Sequence, residues 1–253
     1  MADHQNKNEK RKFSFSANWK KYVFEFLMVF FAITLGFFVE NYRSSISDRE
    51  LEIQHIQSLV EDLKQDTALF KSQIKETKAI STMCDSVILL LNASNRTARE
   101  NRLLYFINRQ ITPKLFPFVL NQSTFDEMKS SGTFRLIHQR KLADSISQYY
   151  FLSSELTFLN NLIVDRAHKK LELEIRIFDN TVFEEMLDKK TFKFKMPSGD
   201  PRLIIQDRLL INEFEGVLHY ISAVSVFGRR KIEFLDAKAK RLIPILQREY
   251  ELH

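Results

Sequence analysis

Glycine and proline are scarce, with five of each in 253 residues. Turn-rich β architectures need many of both, so their scarcity argues against that class and for an all-α chain. One cysteine, Cys84, excludes an intrachain disulfide. It leaves either a bridge between two copies or a small buried hydrophobe. No HExxH, CxxC or EF-hand pattern occurs, no glycine-rich loop that would cradle a phosphate, and no G-x-S-x-G. His168 and Glu172 lie four apart, but two ligands make a weak metal site. Ser130-Ser131-Gly132 has no base at a readable spacing and reads as a helix end. Nothing identifies a catalytic reaction, a metal or a cofactor, so an enzyme is not expected.

Hydrophobic residues make up 44% and charged residues 28%, the balance of a folded chain. The isoelectric point of about 9.3 suggests nucleic acid until the charge is located. Residues 1–21 hold six Lys or Arg against Asp3 and Glu9, a net of +4. Residues 229–248 hold seven against Glu233 and Asp236, a net of +5. The whole chain carries +6, so the remainder is acidic. A basic tail beside an apolar run sets membrane topology or touches anionic lipid; no nucleic-acid partner is expected.

That apolar run is YVFEFLMVFFAITLGFFV, residues 22–39. Eighteen helical residues span about 27 Å, close to a hydrocarbon core of roughly 30 Å. Trp19 and Tyr22 flank one end and Tyr42 the other, as in interfacial aromatic belts. The rival reading is a cleaved signal peptide. Its apolar region is usually shorter and ends at small residues, whereas Glu40-Asn41-Tyr42-Arg43 follows here. Six cations precede the run, while Arg43 and Arg49 alone follow closely. The positive-inside rule then places the N-terminus in the cytoplasm and the rest across the membrane. Glu25 lies one turn inside the run. It is either an intramembrane functional group or a partner of Lys21 four residues earlier. Ala32 and Gly36 form a small-xxx-small pair, so Glu25, Ala32 and Gly36 are the candidate intramembrane helix contacts.

Beyond the run, Ile53, Ile56, Val60, Leu63, Thr67, Phe70, Ile74, Thr77, Ser81, Cys84, Ile88 and Leu91 follow steps of three and four. This is the rhythm of a coiled coil or of a bundle helix. Glu52, Glu61, Asp62, Lys64, Lys71 and Glu76 between them read as a solvated face. Thr77 and Ser81 weaken the second half as an isolated dimer.

A polar loop is expected at Asn92–Arg99 and a short helix at Glu100–Gln110. Pro113 and Pro117 break the chain, with Leu115, Phe116 and Phe118 packed down. Thr124 and Glu127 have capping-box spacing, opening a short helix that Gly132 closes. Helical spacing resumes over Lys141–Leu152 and again over Ser154–Asp179. Thr191–Arg202 reads as a loop or hairpin. A last helical region, Leu203–Tyr250, is expected to bend at Gly216, Gly228 or Pro244. The expected organisation is a basic cytoplasmic tail (1–21), a transmembrane helix (22–40), a coiled-coil-like membrane-proximal stalk (41–92) and a helical bundle domain (93–253).

NWKKYVFEFLMVFFAITLGFFVENYR with ELEIQHIQSLVEDLKQD, and STFDEMKSSGTFRLIHQRKLADSISQYY, resemble segments of a Bacteroidetes family of single-pass membrane proteins of unknown function, DUF6090-like. The resemblance covers about residues 18–66 and 121–151. Ser130-Ser131-Gly132 and Tyr149-Tyr150 recur in order, while Tyr42 departs from the Trp expected there. It implies a cell-envelope protein and no particular activity.

These readings lead to a membrane-anchored interaction or scaffold protein in a bacterial inner membrane, its C-terminal domain periplasmic. The expected partners are the bilayer and either a second copy or another membrane protein. The alternative is an extracytoplasmic sensor or signal-transducing subunit working with a partner membrane protein.

Overall fold

A computed structural model of the chain describes residues 19–115 and 117–252. Four of the six cations expected to set topology (Lys7, Lys10, Arg11 and Lys12) lie outside the described residues, as does Phe116. The described residues form six α-helices and no named strand, so the chain is all-α. They are α1 (Trp19–Asn92), α2 (Ala98–Ile111), α3 (Ser123–Ser131), α4 (Arg140–Ile177), α5 (Asn180–Met186) and α6 (Arg208–Glu249). Short 3₁₀ turns occupy Thr112–Lys114 and Thr133–Leu136.

The chain divides into two compact units, cut between Leu51 and Glu52, with α1 unbroken through the cut. Residues 19–51 are helical throughout, and the large apolar side chains from Trp19 to Ile46 are exposed. This stretch contains the one segment, among the described residues, long and apolar enough to cross a membrane, and none of that segment is buried in the protein. Its lone hydroxyl at the centre, Thr34, donates to the Phe30 carbonyl at 2.7 Å. A helix satisfies its own polar groups in this way, as a bilayer requires.

The second unit is built on three long helices. Residues 56–70 of α1 share a core with 142–156 of α4 and 232–246 of α6. Residues 80–91 of α1 share a second core with 173–177 of α4 and 210–221 of α6. Helices α1 and α4 therefore run parallel, and α6 returns antiparallel to both. α3 completes the first core through Met128; α2 and α5 complete the second through Leu104, Tyr105, Phe183 and Met186.

None of the heptad positions from Ile53 to Leu91 is exposed, and Ile56, Val60, Leu63, Phe70, Cys84 and Leu91 are fully buried. The stripe packs inside this chain's own bundle. Thr77 sits at the seam between the two cores and bonds its hydroxyl to the Gln73 and Ile74 carbonyls. Cys84 is buried, which puts a bridge between copies out of reach in this fold.

Several expected boundaries shift. The two pieces expected at Lys141–Leu152 and Ser154–Asp179 are one helix, α4. α6 begins at Arg208, capped by Asp207, because Ile204 donates instead to the Ile177 carbonyl. It is helical through Gly216, Gly228 and Pro244. The Thr124–Glu127 capping box does not form: Thr124 is buried inside α3, and the Gln122 side chain at the N-cap makes no capping bond, donating instead to Ser153 Oγ at 2.9 Å. A true capping box lies at Thr97 and Glu100, where each side chain satisfies the other's backbone N–H. Gly132 does close α3, in the left-handed region at φ 74°.

Candidate functional site

Glu25, Ala32 and Gly36 are all exposed on α1. Their spacing of seven and four residues puts them on one helix stripe. Nothing stands within 4 Å of the place where a Cβ on Gly36 would lie, so this face is smooth and open to a close approach.

In the second unit the charged residues are distributed differently from the sequence pattern. Glu52 and Asp62, expected on the solvated face of α1, are buried, and so is Asp66. Their carboxylates are held by donors from distant parts of the chain. Glu52 accepts from the His138 backbone N–H at 3.2 Å and from the Tyr250 hydroxyl, with His138 Nδ1 at 3.0 Å. Asp66 accepts from the Tyr149 hydroxyl at 2.7 Å and the Asn121 N–H at 3.1 Å; Asp62 accepts from Asn121 Nδ2 at 2.6 Å. Burial raises the Asp66 carboxyl above its ordinary range, against the pull of these two donors. Burial raises both the Tyr149 and Tyr150 hydroxyls.

A second polar cluster crosses from α4 to α2. Lys170 is fully buried and pairs with Glu174 one turn later. Lys170 Nζ also donates to Thr112 Oγ1 at 3.1 Å and the Asn108 carbonyl at 3.3 Å. Glu174 accepts further bonds from Asn108 Nδ2 at 3.1 Å and Arg109 Nη1 at 3.2 Å. Burial lowers the Lys170 pKa, and Glu174 opposes that shift. This network crosslinks α4 to α2. None of its members lies in the side-chain arrangement of a nucleophile, base and open substrate site. His168 and Glu172 are exposed on α4, where Lys169 pairs with Glu172 and Glu213. Among the described residues no three metal-ligating side chains gather.

Helices α4 and α6 also carry outward aromatic side chains. On α4, Phe151 and Phe158 are 67% and 63% exposed; on α6, Phe227 and Phe234 are 53% and 55% exposed. Each pair is seven residues apart, two helical turns on one face. The two helices are stitched between these rows by Lys231–Glu155 and by Lys238 donating to Gln148 at 2.7 Å. The same lysines stand over the rings, Lys231 at 5.4 Å from Phe227 and Lys238 at 5.9 Å from Phe234. Further along, Arg166 lies 4.9 Å from the Tyr220 ring. A groove of about 330 Å³ continues the surface past Phe234 and Ile245, edged by Lys238 and Arg241. The result is an aromatic face with a cationic trim across α4 and α6.

The sequence carried a sign of this face. Tyr149, Ser153 and Leu156 mark one stripe of α4, and Phe151 and Phe158 fall on the opposite side. A helix apolar on two sides is not an ordinary surface helix. The Lys170–Glu174 pair was also visible as two charges at core spacing.

Comparison with protein-family models, with curated proteins and with solved structures found no match to this chain.

Proposed function

We propose that this is a membrane-anchored interaction or scaffold protein whose helical bundle holds a partner on the α4–α6 aromatic face. The observation that carries the reading is the set of four outward phenylalanines on two adjoining helices, rimmed by Lys231, Lys238 and Arg241. Large exposed apolar patches on a folded domain mark surfaces that another molecule covers. Aromatic rings and arginine are the usual anchors of such contacts. The partner is a second copy or another membrane protein.

The anchor is α1 at residues 22–40, uncleaved, in a bacterial inner membrane. The basic tail before it supports a cytoplasmic N-terminus and a periplasmic bundle. The resemblance to the Bacteroidetes envelope family supports the same location. C-terminal reporter fusions test it: active alkaline phosphatase is expected, and a fluorescent GFP fusion with inactive phosphatase overturns the orientation.

Photo-crosslinking in native membranes tests the face. A benzophenone side chain placed at Phe151, Phe158, Phe227 or Phe234 is expected to give discrete adducts. The same group at exposed Lys71 on α1 is the control. Equal or absent adducts at the four aromatic positions refute the assignment.

The sensor reading has one observation in its favour: α1 belongs both to the apolar stretch and to the bundle core without a break. Ligand-dependent melting of the full chain would favour it.

A further inference from the structure

A second surface, away from the aromatic face, has the shape of a ligand site. A cleft of about 660 Å³ opens between α1, α2, residues 113–114 and 117–118, and the 187–194 hairpin. That volume lies within the range of small-molecule pockets, roughly 300–1,000 Å³. Phe106, Phe118 and Phe194 wall it, with Pro113 and Pro117. The prolines fix the backbone and expose no N–H, so this wall is apolar and preformed.

A second cavity adjoins the cleft. A narrow cavity of about 50 Å³ shares Gln73, Lys114 and Phe118 with it. This cavity lies at the seam between the two cores, lined by Leu156, Leu159, Ile163 and Ile232, with Gly228 leaving room on α6. Its small volume and mostly aliphatic lining suit the end of an aliphatic chain.

The rim is held in an unusual backbone. Phe192 has φ 54°, and its side chain is 78% exposed. Glycine is the ordinary occupant of such a turn position, and a bulky residue there is strained. The turn is fixed by the Phe192 N–H donating to the Asp188 carbonyl at 2.7 Å and the Asp188 N–H to the Lys193 carbonyl at 3.0 Å. The strain keeps an aromatic ring displayed at the mouth, in the manner of a binding rim.

The charge at the mouth selects the headgroup. Lys114 is neutralised by Glu76 at 2.6 Å. Lys193 lines the cleft and makes no ion pair among the described residues. The lining thus carries one uncompensated positive charge beside an apolar channel.

We infer that this cleft binds a long-chain carboxylate, its tail running between Phe106 and Phe118 toward Gly228 and its head at Lys193. Each buried methylene strengthens binding by about fourfold until the channel is full. The head adds about fivefold, the scale of an exposed ion pair.

The test is photoaffinity labelling of the full chain in lipid nanodiscs with a diazirine-bearing palmitate, with adducts mapped by mass spectrometry. Adducts are expected on residues 106–118 and 192–194. Unlabelled palmitate should compete about fivefold better than hexadecanol. Lys193→Glu should reduce cleft labelling at least fivefold. Phe192→Gly removes the rim ring while relieving its backbone, so its loss of labelling is not unfolding; circular dichroism melting should be unchanged or raised. Adducts confined to residues 22–39, or equal cleft labelling in both variants and the native chain, overturn the proposal.

Discussion

Replacing Glu174 by Gln removes the one acid from the buried α2–α4 network. Lys170 has no route to water, and its other contacts are neutral: Thr112 Oγ1 at 3.1 Å and the Asn108 carbonyl at 3.3 Å. Arg109 is better placed, since about a third of its side chain is exposed. Breaking a buried pair by removing one partner costs about 3–5 kcal/mol, because the survivor is left charged and desolvated. Lys170→Met is the milder change. Glu174 then still holds Arg109 Nη1 at 3.2 Å and Asn108 Nδ2 at 3.1 Å, and the lysine stem is replaced by an apolar one. Its cost should be about 1–3 kcal/mol, the scale of one lost charged hydrogen bond. The two variants also separate by pH. Burial already sets the Lys170 pKa below 10.5, and Glu174 opposes that shift. In Glu174→Gln the opposition is gone and the pKa falls further. A cation depressed in the folded state contributes stability that is present above its unfolded pKa and lost as pH falls through the folded value. The Glu174→Gln deficit should therefore deepen on acidification and shrink toward the ordinary lysine value, while the Lys170→Met deficit lacks this dependence. Urea unfolding of the full chain in detergent, followed by circular dichroism, reads both. If Lys170→Met costs as much as Glu174→Gln, or if the latter deficit is flat with pH, the reasoning fails.

Gly228 lies inside α6 with open space beside it; an added Cβ meets Leu159 Cδ1 at 4.0 Å, an ordinary contact. Gly228→Ala should raise stability by about 1 kcal/mol, visible as a higher melting temperature, and a loss would show that the cavity is closed. Burial pushes the Cys84 thiol up to about 12. Native chain should therefore resist Ellman's reagent at mildly alkaline pH and react at once in guanidinium; prompt native reaction would contradict its burial. Thr97→Ala removes a capping-box oxygen from α2 and should cost about 1 kcal/mol in thermal unfolding. A cost near zero would mean that the Glu100 side chain alone secures this end.

The membrane-length segment was readable because it depends on local composition alone. An uninterrupted apolar run needs no tertiary partner to be recognised. The scarcity of glycine and proline likewise fixed the all-α class, and Gly132 marked the end of α3 by its own backbone freedom. The expected helix at Glu100–Gln110 fell within one or two residues of α2 at each end. The heptad stripe from Ile53 to Leu91 was legible too, as a period. Which partner filled it was not. A period states that a face is buried and leaves open whether a second chain or the same chain covers it.

The charged residues were decided by the tertiary structure. Glu52 and Asp62 had the spacing of a solvated face, yet Glu52 meets Tyr250 across 198 positions of sequence. Burial of a carboxylate is tolerable only where such remote donors arrive, and no local pattern records their arrival. The same holds for the candidate surfaces. Phe151 and Phe158 share a face by helix geometry alone, but their place beside Phe227 and Phe234 comes from the antiparallel return of α6. The aromatic cleft joins α1, α2 and a hairpin more than a hundred residues from Gln73 and Glu76 in sequence. Sequence by itself determined what each segment could bury; the fold determined what it met.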